Sequence, residues 1–131
     1  SAASDVYKRQ DMVEVAGNPE MPPLLVNKAL DKLFEKTGRK PEEIAAYECN
    51  EAFAVIDELF AKKYPACVPA YNACGGALAY GHPYGATGGI LTLHLAKRLQ
   101  QCAEDNVYGV SAIAAAGGQG TAILWKKVCE K

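Results

Sequence analysis

The sequence predicts an α/β layered domain, with helices packed on a mixed sheet. Three observations carry this expectation. Apolar residues recur at helical spacing in three segments, short apolar runs of strand length lie between them, and Gly or Pro punctuates most junctions. At 131 residues and 50% hydrophobic content the chain is one domain in length, with enough apolar material for one core.

In chain order, Val13 and Val15 alternate with polar neighbours, predicting a short strand before the Gly17-Asn18-Pro19 turn. Val26, Leu30 and Leu33 follow at spacings of four and three, and Gly38 stops the pattern, so a helix is expected over 22–37. Pro41 sits in a charged turn where it can start a helical turn, and Ile44 to Cys49 reads as a buried strand ending at Asn50. Phe53, Ile56, Phe60 and Tyr64, with Asp57, Glu58, Lys62 and Lys63 between them, predict an amphipathic helix over 51–64, closed by Pro65. A long Gly, Pro and Tyr-rich loop, Val68 to Gly89, then leads into the Leu91, Leu95 and Leu99 stripe of a helix over 86–101. Two apolar runs, Tyr108 to Ala116 and Thr121 to Val128, flank Gly117-Gly118-Gln119-Gly120 and read as a β-hairpin. This order implies a sheet that is parallel inside and antiparallel at one end. Strand-end loops gather on one rim of such a sheet, which makes Asn50, His82 and Ala114 candidates for that rim.

Ser1 to Gln10 is polar and without periodicity, and reads as a tail. Asp5 to Gln10, DVYKRQ, is also what a transposon end used in preparing sequencing libraries encodes, so 1–10 is expected to be an adaptor-derived or disordered tail and 11–131 the domain. On that reading the open frame begins inside a longer protein.

Composition narrows the function classes. Lys and Arg number 14 against 15 Asp and Glu, with no basic stripe, so nucleic acid is not an expected partner. No apolar stretch approaches the about 20 residues that span a bilayer, so no membrane association is expected. Five cysteines without a CxxC pair argue against a disulfide framework or a structural zinc site, and fit a reducing cytoplasm.

Three segments carry the chemistry. Asn72-Ala73-Cys74-Gly75-Gly76 and then Gly81-His82-Pro83-Tyr84-Gly85-Ala86-Thr87-Gly88 match N-x-x-G-G followed by G-H-P-x-G-x-S/T-G at every defined place. Upstream stands Asn50-Glu51-Ala52-Phe53, and downstream GVSAIAAAGGQGTA covers Gly109 to Ala122. In this order and spacing, from Pro22 to Val128, they resemble the thiolase family of acyl-CoA acyltransferases, in its carboxy-terminal half. One departure stands out: the last segment has Ala114 and Ala116 where the family has a cysteine and a glycine.

The resemblance implies both a reaction and a set of roles. A cysteine on the amino-terminal half, outside this chain, attacks an acyl thioester, and the acyl-enzyme is resolved by free CoA or an acetyl-CoA enolate. Acyl-CoA and CoA are then substrates, with no covalently bound cofactor and no metal. A thiol of pKa about 8.5 needs a neighbouring base at neutral pH, and His82 takes that role, ahead of a helix amino terminus that disfavours imidazolium. Asn50 holds a water that forms one oxyanion hole with His82, and the backbone N–H of Ala116 serves a second, since Ala can supply a main-chain donor as Gly does. Phe53, Gly75 and Gly81 contact substrate. Ala114 cannot transfer a proton, which puts ordinary Claisen condensation in doubt. The isolated chain is therefore expected to be inactive, its parent a homodimer or homotetramer. The alternative is a thiolase-fold CoA or acyl-CoA-binding protein without carbon–carbon bond chemistry. His94 reads as structural, Glu51 as a helix-start residue, and Lys126 and Lys127 as a solvated strand end.

Overall fold

The computed structural model describes residues 5–129. Its elements are β1 (Asp5–Ala16), α1 (Leu24–Thr37), β2 (Ile44–Cys49), α2 (Val55–Lys63), α3 (Ala77–Tyr80), α4 (Thr87–Gln101), β3 (Tyr108–Ala115) and β4 (Gln119–Cys129). Short 3₁₀ turns lie at Pro41–Glu43 and Pro65–Ala70. The four strands form one mixed sheet in the order β1-β4-β3-β2. β2 and β3 are parallel, whereas β3–β4 and β4–β1 are antiparallel. The fold is thus the expected α/β sheet with packed helices, but its parallel pair lies at the β2 edge rather than inside.

β1 corrects the tail expectation for Asp5 to Gln10. The strand runs unbroken into that stretch and pairs with β4 as far as Asp5 opposite Cys129, slipping register once between Arg9 and Asp11. Backbone pairing with the long edge of β4 needs no side-chain periodicity, which is why the pattern hid it. Tyr7 also packs against the cluster beneath α4. Ser1 to Ser4 lie outside the described residues.

Strand alternation splits the sheet into two covered faces. Tyr47 and Cys49 of β2, Val110 and Ala112 of β3, and Leu124 of β4 join the buried cluster with α1 and α2. Ala46, between them, belongs to the other face with Leu95 and Leu99. There Gly109 lets α4 approach closely: a Cβ on it would press into the Leu95 and Leu99 side chains. α1 ends as its sequence suggested, with Gly38 left-handed (φ 67°) and its N–H bonded to the Phe34 carbonyl at 2.9 Å. α2 starts at Val55, four residues later than the periodicity indicated, because residues 52–54 form a bend and a turn after the chain leaves β2.

Candidate active site

Asn50 is the residue at which β2 leaves the sheet. Its N–H still bonds to the Ala112 carbonyl at 2.9 Å, extending the ladder by one step and fixing where its buried side chain emerges. That side chain meets a loop from 32 positions downstream: Asn50 Nδ2 lies 3.3 Å from His82 Nε2. The other ring nitrogen, Nδ1, lies 2.6 Å from the hydroxyl of Thr87, the first residue of α4. Thr87 itself donates to the Pro83 carbonyl at 3.0 Å. The imidazole is therefore held at both ends. Asn50 Oδ1, by contrast, is buried without a hydrogen-bond partner among the described residues.

The glycine-rich loop reaches this position because the first two motifs clamp each other. Asn72 acts as a strand mimic: its Oδ1 accepts from the Cys49 N–H and its Nδ2 donates to the Cys49 carbonyl, both at 2.9 Å. The same Nδ2 donates to Glu51 Oε1 at 2.8 Å, and Leu78 N–H in the first turn of α3 donates to Glu51 Oε2 at 3.0 Å. Gly76 packs so tightly on this carboxylate that a Cβ there would overlap it. Glu51 is thus a start residue for α3 and not for α2, correcting its expected place. Gly81, with φ 94°, holds a backbone conformation that side chains disfavour immediately before His82.

His82 opens onto a cavity of about 540 Å³ whose wall also includes Phe53, Tyr84, Ala114 and Ala116. Four of the residues singled out in the sequence therefore share one cavity, and a fifth, Asn50, bonds to its imidazole. Gly75 and Gly81 do not line the wall; both have positive φ and shape the loop behind it. Sequence reasoning missed Thr87 as the partner of His82, although the Ser/Thr place of the motif marked it. It also missed Tyr84, whose ring meets the imidazole edge to face at 4.7 Å and is 88% exposed.

The remaining candidates fall elsewhere. His94 stands on the α4 face between the Tyr80 ring, 5.2 Å away, and Glu48 at 3.8 Å. Lys127 is buried and donates to the Cys102 carbonyl at 3.0 Å, so the solvated reading fails for it; Lys126 lies over the Tyr108 ring. Burial pushes the Cys49 and Cys67 thiols up, which suits packing rather than nucleophilic work. Among the described residues Cys49, Cys67, Cys74 and Cys102 are unpaired, and no cluster of His, Cys, Asp or Glu could hold a metal ion.

Comparison with known proteins places the chain in a family. The family model described as "Thiolase, C-terminal domain" matches residues 5–127. An acetyl-CoA acetyltransferase of Synechocystis is 36% identical over 113 residues, covering 86% of this chain and 28% of that protein. Among solved structures, the Acat5 thiolase of Ascaris suum in complex with coenzyme A superposes with a TM-score of 0.86 at 32% identity, over 94% of this chain and 31% of that one. The peroxisomal 3-ketoacyl-CoA thiolase of Saccharomyces cerevisiae gives 0.82 at 28% identity, over 94% and 34%. The chain spans about a third or less of these relatives. With the family match covering nearly the whole chain and the fold in agreement, this chain belongs to the thiolase family, as a C-terminal domain.

Proposed function

We propose that this chain is the part of an acyl-CoA acyltransferase that supplies the base and oxyanion-stabilising groups, acting on acyl-CoA thioesters by thiolysis or Claisen condensation. The contact of Asn50 with His82, whose imidazole opens onto the cavity, carries the reading. His82 takes the proton of a cysteine thiol that an amino-terminal half presents to the cavity. Once protonated it turns donor, and with Asn50 it stabilises the charge that grows on the thioester oxygen. The partnerless Oδ1 of Asn50 supports a water-holding role there.

Coenzyme A as ligand is supported by the Ascaris relative's complex, and acyl transfer by the relatives' names. The yeast structure is described as built from two core domains of identical topology, which supports a second half for this chain. Phe53 and Tyr84, 57% and 88% exposed at the cavity edge, are suited to being covered by it. Without the nucleophile the chain alone is inactive, and the parent works as a homodimer or homotetramer in fatty acid metabolism. A cytoplasmic site is our reading of the unpaired cysteines; the yeast relative is peroxisomal by its description.

Ala114 favours a second reading, a CoA or acyl-CoA-binding protein without carbon–carbon bond chemistry, because it stands on the cavity wall where the family has its acid–base cysteine. Assay of acetoacetyl-CoA thiolysis by the full-length protein separates the two. Turnover above background supports the enzyme, and CoA binding without turnover supports the binding protein. In the enzyme reading Ala114→Cys raises turnover, by up to about 10²–10⁴-fold. The parent gene also tests the origin of residues 1–10, since native coding sequence through Asp5 to Gln10 removes the adaptor reading.

A further inference from the structure

We infer that Thr87 is a positioning residue that fixes the tautomer of His82, placing the proton on Nδ1 and leaving the lone pair of Nε2 toward Asn50. This rests on the reading of His82 as the base and adds which nitrogen acts and what sets it.

The hydrogen-bond inventory decides the assignment. With the Asn50 amide in this orientation Nδ2 carries only donors, so at 3.3 Å the facing Nε2 accepts, and the tautomer stays fixed only while Nδ1 also has its receiver. A neutral ring that accepts at Nε2 carries its proton on Nδ1, and that proton points at Thr87 Oγ1, 2.6 Å away. Thr87 must then accept, which frees its own hydroxyl proton for the Pro83 carbonyl at 3.0 Å. Pro83 also receives the N–H groups of Ala86 and Thr87 at 2.8 and 2.9 Å, a shared acceptor of the kind common at helix starts. Every proton on the path from Pro83 to Asn50 has a receiver.

The reverse arrangement is less favourable. With the Asn50 amide turned over, Nε2–H would donate to Oδ1 and the NH₂ group would take the pocket where Oδ1 now has no partner. Buried amide donors without partners are rarer than under-satisfied carbonyl oxygens. Thr87 is itself buried and on the first turn of α4, so its hydroxyl is held in place by the helix. The consequence for function is direct. In the other tautomer Nε2 has no lone pair to receive a thiol proton.

The test is long-range ¹H–¹⁵N correlation of the 131-residue chain with ¹⁵N-labelled histidine, at about pH 8.5, above the ordinary imidazole range near 6.5. His82→Gln identifies which signals belong to His82 and which to His94. For His82 the expected pattern is a protonated-type shift at Nδ1 and a lone-pair-type shift at Nε2. In Thr87→Val the two shifts converge toward a tautomer average, and Thr87→Ser restores the wild-type pattern; Thr87→Ala serves if the valine chain does not fold. A wild-type proton on Nε2 overturns the inference, as does a valine or alanine chain that keeps the wild-type shifts. No acyl-CoA is present, so the result stands apart from whether the parent proves to be an acyltransferase.

Discussion

The two faces of the sheet are covered by different means. Toward α1 and α2 the packing is mostly apolar: Val26, Leu30, Leu33 and Phe60 are fully buried, and Phe60 meets the Tyr47, Tyr64 and Tyr71 rings edge-on or tilted, with ring centroids 4.1 to 5.2 Å apart. Toward α4 a Leu91, Leu95 and Leu99 stripe is joined by a buried ion pair. Arg98 donates to Glu48 Oε1 at 2.7 Å, to the Tyr47 carbonyl at 2.8 Å and to the Ala70 carbonyl at 2.6 Å. Glu48 lies two residues before Asn50 on β2, and Arg98 lies on the helix that begins at Thr87. The apolar face supplies stability, whereas the polar face fixes how far α4 slides along β2. The site needs the second property, because its parts sit at the ends of those two elements. Burial alone is tolerant of small shifts, and directed hydrogen bonds are not.

This difference can be broken from either side. The largest loss of stability is expected for Phe60→Ala, about 4 kcal/mol from cavity formation, while Phe60→Leu loses less than about 1.5 kcal/mol. Urea unfolding reads both, and equal losses would remove the claim that the apolar face tolerates repacking. Next comes Glu48→Ala, which strands the Arg98 charge and is expected to lose about 3 kcal/mol in the same measurement. A loss below about 1 kcal/mol would mean that the pair is solvated.

Gly76→Ala should lose about 2 kcal/mol, since the Glu51 carboxylate must leave its bonds to Asn72 and Leu78 to make room. Unchanged stability would mean that this clamp is loose. The smallest effect is on pH dependence. Burial pushes the Glu48 carboxyl up, against the pull of Arg98. Its native form holds the proton more tightly than the unfolded chain does, so stability falls as pH rises from the ordinary carboxylate value near 4.3 through its elevated native one. The urea midpoint of Glu48→Gln should lack this fall; equal slopes in the two chains would contradict the assignment.

Much of the architecture was legible in the sequence. Helices and strands came within a few residues because Leu91, Leu95 and Leu99, or Ile44 to Cys49, carry their own periods, and the motif residues predicted one rim. Two kinds of feature were not legible. The β1 extension over Asp5 to Gln10 depends on an edge offered by β4, to which no local pattern points. The roles of Glu51, Thr87 and Arg98 depend on which loop or strand comes opposite them, at separations of 27, 5 and 50 residues. Periodicity reports the face a residue turns inward; it does not report the partner found there.

The role of His82 as the base of an acyl-transfer site is tested most directly by one assay. Acetoacetyl-CoA thiolysis is measured in the full-length protein with and without His82→Gln. A fall in kcat/KM of about 10²–10⁴-fold with folding preserved is expected. A variant that turns over as fast as the wild type would contradict it.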